Sequence, residues 1–355
     1  MRIVMLTLFF CFSLCVPALA AEDYGLGDVE AAIPQSAREV LGDLDGGSLS
    51  VDNIFSRVWS YAREHIKDEA AQVLRPVAAV VAIALLCSVA ESGGLAKDIN
   101  YVNLGGCLAI AAVAVGDVQS VVQLGERAME DMSDFSRVLL PTLSTVAAGA
   151  GAISSAGAKY AAAALFLDVL IAISDNLILP LVGAYTAALV AASAIGDGRL
   201  KAAVKFLKWL CKACLTALVT VFTAYISLTG IAATGADAAA TKTAKAVITT
   251  ALPIVGKIVS DAGESLVAGA GLIRNTVGIL GLGAVVAICA APFLALGLRY
   301  LLFKAAAAVV SAVAGDRVGS LVEGISTAYG MVLALVGTGA IFMFISILSL
   351  IRTVT

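Results

Sequence analysis

Charge is scarce in this chain. Only 14% of its 355 residues are Asp, Glu, Lys or Arg, whereas 60% are hydrophobic and the mean hydropathy is +0.98. A soluble domain carries about 25% charged residues, so a water-facing surface cannot be covered from this stock. Lipid must solvate much of the chain. Histidine is also nearly missing: His65 stands alone, which removes an H-E-x-x-H zinc helix and leaves no choice of partner for a Ser-His-Asp arrangement. His65 reads as a surface residue of an amphipathic helix. No G-x-x-x-x-G-K-[ST] occurs, so no P-loop is expected. A net charge of −3 gives no basic field for nucleic acid. No catalytic, cofactor-binding or metal-binding residues are expected.

Seven cysteines are present, mostly in or beside apolar stretches. There a thiol behaves as a small hydrophobe, and no disulfide framework can be drawn. Cys211 and Cys214 form a C-x-x-C within a basic helix, without the βαβ context that a redox pair uses. Aromatics reach only 6%, and Ala, Val, Leu and Ile dominate. Small side chains let membrane helices approach closely; a compositional bias of the genome would produce the same richness in alanine.

What is there begins with an address. Arg2, the uncharged run Ile3–Leu14 and the small-residue stretch Val16–Ala20 have the layout of a cleavable secretory signal over residues 1–20. Residues 21–75 read as a short extracytoplasmic preface, helical from Val51 to Leu74 and amphipathic. Residues 76–355 read as a multi-pass transmembrane domain. The fold class is therefore all-α, a polytopic helical bundle of about six to eight spans.

Uncharged runs at 176–196, 213–236, 275–298 and 324–351 are the clearest spans. Shorter or charge-broken runs at 77–90, 99–116, 138–158 and 160–174 supply the others. The first is short for a bilayer, so Arg75 is expected to snorkel and Pro76 to occupy the first helical turn. An acidic amphipathic stretch, 117–137, separates the second from the third. Arg199, Lys201, Lys205, Lys208 and Lys212 fall between two clear spans with no acid among them. The positive-inside rule puts them in the cytoplasm, and five crossings from an outward residue 22 agree. Arg299, Lys304 and Arg317 then land inside, and the C-terminus lies outside.

Two features invite function. Asp168 and Asp175 are seven residues apart on one helix, where a carboxylate is costly unless paired, neutral, or facing water or another helix. An interfacial location accounts for them equally well. Residues 237–274 are mostly apolar yet interrupted by Lys242, Lys245, Pro253, Lys257, Asp261 and Glu264. Such a segment suits a re-entrant or interfacial pair of short helices, because irregular backbone at membrane depth needs shielding.

Lys242-Thr-Ala-Lys245, Leu252-Pro253-Ile-Val-Gly256, Ser260-Asp261-Ala262 and Arg274-Asn275-Thr-Val-Gly278, with Asn176 and Pro180 upstream, resemble the stage III sporulation protein AE family. The resemblance implies a polytopic subunit of the mother-cell membrane complex that faces the forespore, forms a channel or secretion-like apparatus and supports late forespore gene expression. It implies partners among the other membrane proteins of the same operon and, through them, the forespore-side ring protein, besides the lipid bilayer. A separate ATPase subunit would supply hydrolysis. Asp168, Asp175, Asn176, Pro180, Lys242, Lys245, Pro253, Gly256, Asp261, Arg274, Asn275 and Gly278 are the candidate conduit or interface residues. A stand-alone permease and an assembly scaffold without its own conduit are the alternatives; no internal repeat supports the permease.

Overall fold

A computed structural model describes residues 29–42, 51–92, 99–149, 153–228 and 276–351. These residues form α1 (Gln35–Leu41), α2 (Val51–Ser92), α3 (Ile99–Gly149), α4 (Ile153–Ile173), a π-helical turn (Ser174–Ile178), α5 (Leu179–Ile195), α6 (Gly198–Leu228), α7 (Thr276–Val313) and α8 (Gly315–Ile351). Among the described residues there is no strand. The signal and the segment 229–275 lie outside them.

Five of the helices are long and apolar enough to cross a membrane: Ser56–Ala90, Tyr101–Thr145, Ala163–Ile195, Leu280–Val313 and Asp316–Leu350. The chain is a multi-pass helical membrane protein, with fewer and longer helices than the sequence runs suggest. α2 joins the preface helix to the first span, so Pro76 sits inside a helix rather than at its first turn. α3 absorbs the run at 99–116, the acidic stretch and the start of the run at 138–158; its 51 residues extend roughly 76 Å. The runs at 160–174 and 176–196 form one continuous rod through the π turn. Charge marked these breaks in sequence, but a charged side chain ends a membrane helix only if it has nowhere polar to point. The span expected at 213–236 begins in α6 and passes beyond the described residues at Leu228.

Packing fixes the order of the rods. Ile54 meets Gly283 and Glu69 meets Arg299, so α2 and α7 run in the same direction. Leu139 meets Gly281 while Asp117 meets Arg299, so α3 runs against α7 and alongside α8. Leu189 packs at Gly324, and Leu179 with Val332 at Gly125, so α5 opposes α8. The α5–α6 and α7–α8 turns therefore share one end of the bundle, where Arg317 lies under Gly196. Gly196 ends α5 with φ +77° and donates to Ala192 O at 2.9 Å, a left-handed cap open to glycine at little cost. Asp197 then caps α6, its Oδ1 accepting the Arg199 N–H at 3.0 Å.

α7 and α8 pack most extensively against each other and form the hub. A Cβ on Gly319 would stand 2.9 Å from the Ser311 Cα, and one on Gly324 2.3 Å from Leu189 Cδ2; small residues at these crossings are what lets the rods touch. Large exposed apolar side chains, among them Leu86, Val89, Leu108, Leu165, Val221 and Leu301, lie on the surrounding helices and α7. They form a surface that lipid solvates. α1 is tied to α3 by Ser36 Oγ donating to Asp131 Oδ2 at 3.1 Å, and its last carbonyl, Leu41 O, accepts from Arg57.

Candidate functional site: a groove beside a π-helical turn

Pro180 explains the turn. Lacking an N–H and clashing with the carbonyl four residues back, proline cannot continue a regular ladder. Here the ladder widens just before it: Leu179 N–H donates to Ser174 O, five residues back. Two polar side chains of the turn bond back to carbonyls one turn earlier, Ser174 Oγ donating to Leu170 O at 2.7 Å and Asn176 Nδ2 to Ala172 O at 2.9 Å. π-turns of this kind recur at functional sites.

The turn opens onto a groove. A cavity of about 840 Å³ lies between α3 and α5, with Ile325 of α8 at its floor. Gln119, Gln123 and Glu126 line it from α3; Asp175, Pro180 and Thr186 line it from the turn and α5. No basic side chain among the described residues lines it. Glu126 and Glu130 are the charges that act on Asp175, so carboxylates converge here from two helices.

Height within the bundle gives the groove its meaning. Gly125 packs on Val332, and Gly339 packs on Met129 and Met132. Glu126, Arg127, Glu130 and Asp134 are thus level with the middle of α8's uncharged run, 324–351. All four are exposed, and Asp134 pairs with Arg137 at 3.6 Å while both stay about two-thirds exposed (66% and 69%). Lipid does not solvate such a strip; water or protein must cover it.

Opposite in character is a second polar cluster, buried in the hub. Arg299, 9% exposed, reaches Asp117 Oδ1 with Nε at 3.4 Å and Glu69 Oε2 with Nη1 at 3.5 Å. The Tyr329 hydroxyl donates to Asp117 Oδ2 at 2.6 Å. Four helices, α2, α3, α7 and α8, meet in this one network.

Sequence reasoning and structure overlap in part. Asp175, Asn176 and Pro180 come together at the turn, and Asp175 and Pro180 line the groove. Asp168 is exposed on the same rod but lies outside the lining. Lys242, Lys245, Pro253, Gly256, Asp261, Arg274 and Asn275 lie outside the described residues, and Gly278 falls in the first turn of α7. Gln119, Gln123 and Glu126 were missed as groove residues. Their signal was available: polar side chains spaced four and three apart on one helix share a face. Arg299, expected on the cytoplasmic side, is paired with both Asp117 and Glu69.

No solved structure matches the chain. The chain is 22% identical over 240 residues to the stage III sporulation protein AE of Bacillus subtilis (strain 168), a region covering 68% of this chain and 60% of that protein. The match thus spans less than two thirds of the relative's length. The family description Stage III sporulation protein AE fits residues 36–353, nearly the whole chain including the turn, the groove and the buried network, and the protein belongs to that family.

Proposed function

We propose that this sporulation protein is a membrane subunit of the channel or secretion-like complex between mother cell and forespore, needed for endospore formation and late forespore gene expression. One observation carries the reading: the exposed charges of α3 and a groove holding Glu126 and Asp175 lie level with the middle of α8's uncharged run. Such a face has use only where protein or water adjoins it. The other membrane proteins of the same operon, and through them the forespore-side ring protein, are the partners this reading assigns. Its work is positioning and lining rather than catalysis.

Orientation belongs to the same proposal. The end bearing Arg199, Lys201, Lys205, Lys208 and Arg317 faces the cytoplasm, by the positive-inside rule. Three rods, α2, α3 and α4–α5, lead to it from an outward preface, an odd number like the five crossings expected from the sequence runs. α8 then carries the C-terminus to the outer side.

A deletion strain complemented with wild type or with Glu126→Gln/Asp175→Asn tests the role. Deletion is expected to stop late forespore gene expression, and the double variant to accumulate in the membrane without restoring it. Normal spores from the deletion strain would remove the sporulation role, and selective flux through liposomes holding this chain alone would favour the permease.

A further inference from the structure

The first half of α6 carries a feature that neither the groove nor the buried network uses. Lys201, Lys205, Lys208 and Lys212 recur every three or four residues along one face of the helix. Beside them, Phe206 and Trp209 are 57% and 61% exposed, their rings 5.9 Å apart. Aromatic side chains left in the open on a membrane helix mark the level where acyl chains give way to headgroups. Along α6, the lysines occupy that level and the turn or two beyond it toward the α5–α6 turn. Past Lys212 the helix becomes uncharged through Leu228.

We propose that this face binds the headgroup of an anionic phospholipid. Lys201, Lys205 and Lys208 hold the phosphate, and Phe206 and Trp209 lie against the glycerol and upper acyl region. Charge argues for this occupant: no acid interrupts 199–212, Glu323 of α8, which faces Lys208, is itself paired with Lys304 at 2.8 Å, and each lysine near an anionic leaflet favours binding by about fivefold. Geometry argues for lipid over a soluble acidic partner. Trp209 lies one turn from Lys205 and Lys212 on the lysine side of the helix, with Phe206 beside it farther round, on a rod whose next turns carry exposed Val221 and are solvated by lipid. A bound headgroup would pin α6 at its entry to the membrane, directly after the glycine turn that reverses the chain. The inference is independent of any conduit, since no residue of α6 lines the groove.

Trp209 makes the test direct. The chain has two tryptophans, and Trp59→Phe leaves Trp209 as the single reporter. The full chain in this background is reconstituted with brominated phosphatidylglycerol or brominated phosphatidylcholine, and quenching of Trp209 gives the relative affinity of the two lipids. A preference of several-fold for phosphatidylglycerol is expected. Lys201→Gln/Lys205→Gln/Lys208→Gln should bring it to near parity with an unchanged unfolding temperature in phosphatidylcholine. Parity in the parent, or an undiminished preference in the triple variant, would overturn the proposal. So would relief of the preference by millimolar inorganic phosphate, which would make the face a free-anion site. If the triple variant misfolds, Lys205→Gln alone still has to lower the preference, by up to about fivefold.

Discussion

The α7–α8 hub and the α3–α5 wall use polar groups in opposite ways. In the hub's two rods, 67% and 72% of the most apolar stretch is buried, against 33% in both α3 and the α4–α5 rod. The hub's buried charge, Arg299, is paired with Asp117 and Glu69 from the neighbouring rods, and Tyr329 donates to Asp117, while Lys304 and Glu323 pair with each other at the exposed edge. On the wall, Glu126 and Asp175 line an open cavity, and Glu130 adds like charge beside Asp175. A polar group that serves cohesion is paired within its own chain, and one that serves an outside contact is left facing a space. The comparison predicts that damage to the hub reads out as lost stability, and damage to the wall as lost function at unchanged stability.

The largest effect is expected from Arg299→Met. Removing the cation leaves two partly buried carboxylates uncompensated, at a cost of about 3–5 kcal/mol. Loss of the full chain from membranes, or a large fall in its unfolding temperature in detergent, checks this. Adding Asp117→Leu should recover part of the loss, since the two side chains act as a unit. Tyr329→Phe deletes one hydrogen bond to a charged acceptor and should cost about 1.5–3 kcal/mol in the same assay. Gly319→Ala drives a methyl toward the Ser311 backbone; it should cost about 1–3 kcal/mol.

The wall variants come last on the stability scale. Asp175→Asn should change stability by no more than about 0.5 kcal/mol yet impair complementation of a deletion strain. Asp168→Leu, on the same rod but outside the groove, should leave both untouched. Complementation lost with Asp168→Leu and retained with Asp175→Asn would reverse the assignment of the wall.

The helical membrane class was legible because apolar runs and scarce charge report solvent directly. Asp175, Asn176 and Pro180 were legible as candidates, but the turn that joins them was not: Asp175 read as the break between the runs at 160–174 and 176–196. Less legible was the continuity of the rods. Asp117 and Asp175 look like the ends of spans because a sequence shows a charge without its surroundings. Arg299 finds its partners 182 and 230 residues away, contacts that no local pattern carries. The groove's glutamines escaped notice for a similar reason, since only the approach of α5 turns a polar stripe on α3 into the wall of a cavity.

Whether the wall truly faces something other than lipid is measurable site by site. Spin labels at Gln123→Cys and Thr186→Cys, in the groove, can be compared with one at Leu301→Cys, at a similar height on the apolar flank of α7. In the full chain reconstituted in bilayers, the account predicts that a water-soluble nickel chelate relaxes the two groove labels and molecular oxygen relaxes the label at 301. Oxygen-dominated relaxation at all three positions would mean that lipid fills the groove, contradicting the account.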